Sequence, residues 1–128
     1  GRPPLLVGAP TAADSGYSRD RIQSMTKMWE VVTVEREGRA IRLTMKNASR
    51  HPLAFMMNAP GLYHVPYQER NAVEAHALTP VQTNPGETVV IEFRLGRDPE
   101  TFRKTSRIRF TVLDGGGLRA DYAVHIQA

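Results

Sequence analysis

The feature that most constrains this chain is the every-other-residue placement of its large apolar side chains. It holds through Ile41, Leu43 and Met45, and again through Val89, Ile91, Phe93 and Leu95. It returns through Ile108, Phe110 and Val112, then through Ala120, Tyr122, Val124 and Ile126. Successive side chains of a strand point to opposite faces, so a period of two presses one face on a core and leaves the other wet. On a helix the same residues would be scattered around the axis rather than gathered on one stripe. Turn chemistry separates the runs at Glu37-Gly38, Asn84-Pro85-Gly86 and Asp114-Gly115-Gly116-Gly117. Together these signals predict an all-β fold, an antiparallel β-sandwich of six to eight strands with one short helix.

The remaining segments set the domain plan. A length of 128 residues suits one domain, and folding at that size buries roughly two-thirds of the chain's surface. Residues 1–24 hold Pro3, Pro4 and Pro10 among many small residues, with no sustained period, and read as an extended N-terminal arm or linker. It is either an arm that pairs with a neighbour or an unpacked terminus. A short helical turn is expected between Asp20 and Met28, and residues 25–128 form the sandwich. Residues 58–87 contain Pro60, Pro66, Pro80 and Pro85, which argues against a central strand there and predicts a long irregular stretch with a brief helix over residues 71–78. Asp98-Pro99-Glu100 has the chemistry of a capped helix start, giving one or two turns over residues 99–104.

Two corners carry a resemblance. The run from Ile41 to Lys46 ends in Asn47-Ala48-Ser49 with Pro52-Leu53 beyond it, and Asn84-Pro85-Gly86-Glu87-Thr88 opens a later strand. This pairing resembles bacterial immunoglobulin-like and cupredoxin-like sandwiches over the span from Ile41 to Leu95. A cupredoxin implies a type 1 copper site, which needs a cysteine and a histidine near the last turn. The chain has no cysteine, so a blue-copper centre, a disulfide and a thiolate nucleophile are all excluded.

Several clusters are candidate sites. Arg107, Arg109 and Arg119 alternate outward with Asp121 on the final hairpin, and the excess positive charge of a chain of net charge +4 is concentrated in the stretch from Arg94 to Arg119. Such a face suits an acidic protein surface or another polyanion. Base stacking is disfavoured, because Phe110 and Tyr122 alternate inward. Tyr63, His64, Tyr67 and Glu69 form a polar-aromatic partner-binding candidate in the long middle stretch. His51, Met56, Met57 and His64 are a candidate copper set, since imidazole and thioether groups suit that metal; next to Phe55 the methionines equally suit a core.

Catalysis finds little footing. There is no Gly-x-Ser-x-Gly, Glu69 and Glu74 are not fixed on one face by their spacing, and the glycine run is a hairpin turn rather than a phosphate loop. The leading expectation is a non-catalytic protein-binding or assembly module of a bacterial envelope or secreted system, without cofactor. A periplasmic copper-binding protein using methionine and histidine, and a polyanion or nucleic-acid binder, are the alternatives. The chain opens on Gly1 rather than methionine, which reads as processing after a signal peptide and so as a periplasmic or secreted location. No apolar run approaches the ~20 residues that span a bilayer as a helix.

Overall fold

The alternating runs form strands that close over a shared interior. A computed structural model describes residues 28–57, 73–113 and 119–127, together with the backbone of 61–64 and 67–69. In chain order the strands are β1 (Trp29–Glu37), β2 (Ala40–Asn47), β3 (Leu53–Ala54), β4 (Met56–Met57), β5 (Gly61–His64) and β6 (Tyr67–Glu69). They continue with β7 (Val73–Ala77), β8 (Gln82–Thr83), β9 (Thr88–Leu95), β10 (Arg107–Leu113) and β11 (Arg119–His125). One sheet runs β1-β2-β9-β7, the other β11-β10-β5-β6 with β4 also paired to β10, and β3-β8 is a small third pair. All pairings are antiparallel. The expected all-β architecture is what the chain adopts.

The interior is made of the alternating residues named above. Ile41, Leu43, Met45, Val89, Ile91 and Phe93 from one sheet meet Ile108, Phe110, Val112, Tyr122 and Val124 from the other, all buried. Phe93 and Phe110 touch across the two layers with ring centroids 5.4 Å apart, and Tyr122 stacks on Phe110 at the same distance. Each such aromatic contributes about 1.5–3 kcal/mol through the area it removes from water.

Strand β1 meets this core by changing parity. Trp29 and Val31 stand opposite Asn47 and Met45, but beyond a register shift between Val31 and Thr33 it is Val34 and Arg36 that stand opposite Leu43 and Ile41. The extra residue of a bulge switches which residues face inward, and without it Thr33 and Glu35 would be aimed at the core. The inward Arg36 is then satisfied by reaching the other sheet. Its guanidinium donates to the carbonyls of His125 at 2.7 Å and Ile126 at 3.2 Å, tying the β1 edge to the end of β11. Partial burial pulls its pKa below the usual arginine value, yet a guanidinium stays charged.

The two corners that carried the resemblance meet at one residue. Asn47 is fully buried. Its backbone N–H donates to Glu87 and its carbonyl accepts from Gly86. Its side-chain amide donates to the carbonyls of His51 (2.8 Å) and Thr83 (3.3 Å), while its Oδ1 accepts from the backbone N–H and hydroxyl of Ser49. Asn84-Pro85-Gly86-Glu87 closes by Glu87 N–H to Asn84 carbonyl, with Gly86 at φ +85°. Proline second and a positive-φ glycine third is a type II turn.

Three local expectations are corrected. Residues 73–77 of the expected brief helix form strand β7, because Val73, Ala75 and Ala77 align with Leu95, Phe93 and Ile91 of β9; tertiary pairing overrides the helical preference of alanine and glutamate. The long irregular middle contains a hairpin, β5-β6, joined to β10. The helix after Asp98 is a single 3₁₀ turn, Pro99–Thr101, and the Asp98 carboxylate does not cap it. It instead pairs with Arg39 at 2.9 Å. The N-terminal arm, nearly all of the expected turn between Asp20 and Met28, and the turn at residues 114–117 lie outside the described residues.

Asn47 yields a stability prediction. Asn47→Ala removes the side-chain donor to the buried Thr83 carbonyl and the acceptor for Ser49, and should lower the unfolding free energy by about 2–3 kcal/mol. Asn47→Asp keeps the acceptor for Ser49 but turns an oxygen toward the His51 and Thr83 carbonyls, and should cost at least as much at neutral pH. Urea unfolding of both variants measures this; an Asn47→Asp variant as stable as wild type would remove Asn47 as the tie.

Candidate functional site

The two outer faces of the sandwich handle charge differently. On the sheet holding β2 and β9, Glu92 is covered by two guanidinium groups and is only 5% exposed. Arg94 Nε donates to Glu92 Oε1 at 2.6 Å and Arg42 Nε to Oε2 at 3.0 Å, and Arg42 also reaches Glu37 at 3.4 Å. His76 and Glu74 sit alongside on β7, 3.4 Å apart. This face neutralises its own arginines. The hydrogen bond from Arg94, then that from Arg42, holds the Glu92 carboxyl below the usual glutamate range.

The opposite outer face carries the predicted basic cluster. Arg107, Arg109, Thr111 and Leu113 of β10 stand opposite His125, Ala123, Asp121 and Arg119 of β11, all partly buried, while Ile108, Phe110, Val112, Ala120, Tyr122 and Val124 are inside. The three arginines therefore share one face. Asp121, the acid among them, accepts a hydrogen bond from the Thr111 hydroxyl at 2.5 Å. Arg109 lies in register with Ala123 on one side and Gly61 on the other, so small residues flank it.

The polar-aromatic candidate divides by register. Tyr63 stands in register with Arg107, whereas His64, Tyr67 and Glu69 occupy the alternate register positions of β5 and β6, and the side chains of all four lie outside what the structure describes. The four do not form one row. The copper set divides as well. Met57 pairs with buried Val112 and Met56 with Leu113, so the adjacent methionines lie on opposite faces of β4; Met56 is exposed, and Met57 packs against the core. His51 is exposed in the turn after Ser49, its carbonyl held by Asn47. Among the described residues no group of three or more histidines, aspartates or glutamates converges. Also among them, no helix is long and apolar enough to cross a membrane.

One feature had escaped sequence reasoning. Beside β7 lies an open cleft of about 190 Å³ lined by Phe55, Met57, Ala75, His76, Ala77, Val81 and Ile91. Ala77 aligns with buried Ile91, yet it is exposed. Met56, Leu78 and Val81 are exposed nearby at 44%, 48% and 38%. The signal was present in the small inward residues Ala75 and Ala77 on a strand whose neighbour offers Phe93 and Ile91, but a helical reading of that segment hid it.

No family model, no curated protein and no solved structure matches the chain.

The Glu92 cluster gives a pH prediction. Its carboxyl releases its proton more readily in the folded chain than in the unfolded one, so its stabilisation is present above the ordinary glutamate range and fades as pH falls through and below it. The difference in melting temperature between wild type and Glu92→Gln should be largest near pH 7 and shrink steadily by pH 3. A difference that stays constant over that interval would contradict the pairing.

Proposed function

We propose that this domain is a non-catalytic binding module that docks an acidic protein surface on the outer face of β10 and β11. The observation that carries the reading is the make-up of that face: Arg107, Arg109 and Arg119 stand on it together, with Asp121 as the acid among the residues of β10 and β11. A flat sheet face with surplus positive charge attracts and orients an acidic partner and rejects a basic one. The guanidinium fork favours carboxylates, which it binds through paired hydrogen bonds. Phe110 and Tyr122 are buried and so take no part in base stacking on this face.

Binding to immobilised poly-L-glutamate and to single-stranded DNA, each across a salt series, tests the proposal. Simultaneous reversal of Arg107, Arg109 and Arg119 to glutamate should weaken poly-glutamate binding by about tenfold or more with little change in melting temperature. Reversal of exposed Arg50, Arg103 and Lys104 makes the same change in net charge elsewhere and should weaken it far less. Equal losses from both triple variants would refute a dedicated face. Tighter binding of DNA than of poly-glutamate would favour the nucleic-acid alternative instead.

A further inference from the structure

The sheet β1-β2-β9-β7 has two edges, and they are finished differently. At β1 a bulge breaks the register, and Arg36 bonds to the His125 and Ile126 carbonyls and ties that edge to the other sheet. Strand β7 ends the sheet with no partner beyond it among the described residues. Edge strands are commonly guarded by lysine, proline or a bulge, each of which hinders a further strand. Val73-Glu74-Ala75-His76-Ala77 has no lysine and no proline, and its register with β9 is unbroken.

The backbone of β7 has groups to offer on that side. Leu78 donates to the Val90 carbonyl at 2.8 Å, and Leu95 donates to the Arg39 carbonyl at 2.8 Å. Hydrogen-bonded pairs alternate along an antiparallel ladder. Even-numbered residues of β7 and β9 therefore bond to each other, and odd-numbered residues of β9 bond to β2. Val73, Ala75 and Ala77 are left with their N–H and C=O groups turned to the open edge, as strand addition requires. Glu74 and His76 are both exposed on the outer face, 3.4 Å apart.

We infer that a second copy of this chain docks on this edge, β7 against β7 and antiparallel, with Ala75 opposite the partner's Ala75. A two-fold contact uses the same patch on both copies, so the strand has to be complementary to itself. The open-edge groups belong to odd-numbered residues, so only registers that set odd against odd form hydrogen bonds. Sliding the pair by one step in either direction sets Glu74 against the partner's Glu74, or His76 against the partner's His76, and like groups directly opposite are unfavourable. With Ala75 on the axis, Glu74 faces the partner's His76 and His76 faces the partner's Glu74. An imidazole N–H donates to a carboxylate in either protonation state of the ring. The same register continues the charge pattern of the sheet. Arg94 stands beside Glu74 and Glu92 beside His76, so a row across the junction reads Arg94, Glu74, the partner's His76, the partner's Glu92. Base and acid alternate at every step. Over residues 73–77 the backbones add about six hydrogen bonds, and the alanine on the axis puts no bulk between the strands. A foreign strand would have to bring this complement; β7 already carries it. The contact lies on the sheet opposite the basic face of β10 and β11 and does not rest on that face.

Sedimentation of the full chain, with amide hydrogen exchange read by NMR, tests this. One strand edge lies at the small, weak end of specific interfaces, so the wild type should dimerise reversibly with a Kd on the order of 100 µM. Glu74→Lys leaves no acid at the junction and His76→Glu leaves no base. Each should weaken dimerisation at least about tenfold, with a melting temperature near that of the wild type. Mixed in equal amounts, the two variants should form a heterodimer, because each supplies the group the other lacks. In the wild type the amides of Ala75 and Ala77 should gain protection as concentration rises, while those of Glu74 and His76, bonded to β9, stay protected throughout. A chain still monomeric at roughly 1 mM would overturn the inference. So would a dimer indifferent to both substitutions, or two variants that fail to recombine. Protection of Ala75 and Ala77 that does not change with concentration would overturn it as well, since the same chain would then cover its own edge.

Discussion

A single buried asparagine holds the end of this sandwich together. Asn47 closes β2, and through backbone and side chain it binds the carbonyls of Glu87, His51 and Thr83, the amide of Gly86 and both donors of Ser49. A buried amide is costly unless its donors and acceptor are matched, and here each has a partner. The hydrophobic layers supply the larger free energy, but apolar contacts are non-directional. The asparagine fixes where the corner after β2 lies relative to the corner before β9. That placement positions the β3-β8 pair and Phe55, the residue shared by the Trp29 contact and the cleft wall.

The seams between the sheets follow from what each edge strand offers. At β1 a bulge turns a long charged side chain inward, and Arg36 finds two carbonyls at the end of β11. At β7 Val73 is buried in the core, but the next two inward residues, Ala75 and Ala77, are too short to reach across, and the cleft lies beside them. An unpaired edge invites further pairing unless something covers or charges it. Glu74 and His76 put polar groups on β7, and His76 also borders the cleft.

Charge is likewise distributed by strand pairing. Glu92 projects from a central strand between Arg42 on β2 and Arg94 two residues along, so cross-strand and same-strand neighbours cancel. On β10 and β11 the outward partners are a mixture of arginine, histidine, threonine, alanine and leucine, and Asp121 engages Thr111. The same fold rule thus yields one self-compensated face and one with positive surplus. The difference gives the molecule a direction.

What the sequence determined by itself is what depends on a residue and its near neighbours. Alternation in residues 41–45, 89–95, 108–112 and 120–126 identified strands and assigned Phe110 and Tyr122 inward and Arg107, Arg109 and Arg119 outward, because a period of two leaves no other reading. Asn84-Pro85-Gly86 announced its turn through one fixed φ and one positive φ. Tertiary structure decided everything that needed a distant partner. Alanine-rich residues 73–77 became a strand because β9 offered an edge, and Asp98 left its helix for an arginine 59 positions earlier in the chain. Tyr63 came to stand opposite Arg107, and the Val32 bulge set the parity of β1. Local pattern reports which face of a strand is apolar, but pairing energy between segments far apart in sequence chooses the neighbour, and the neighbour determines which surfaces stay open.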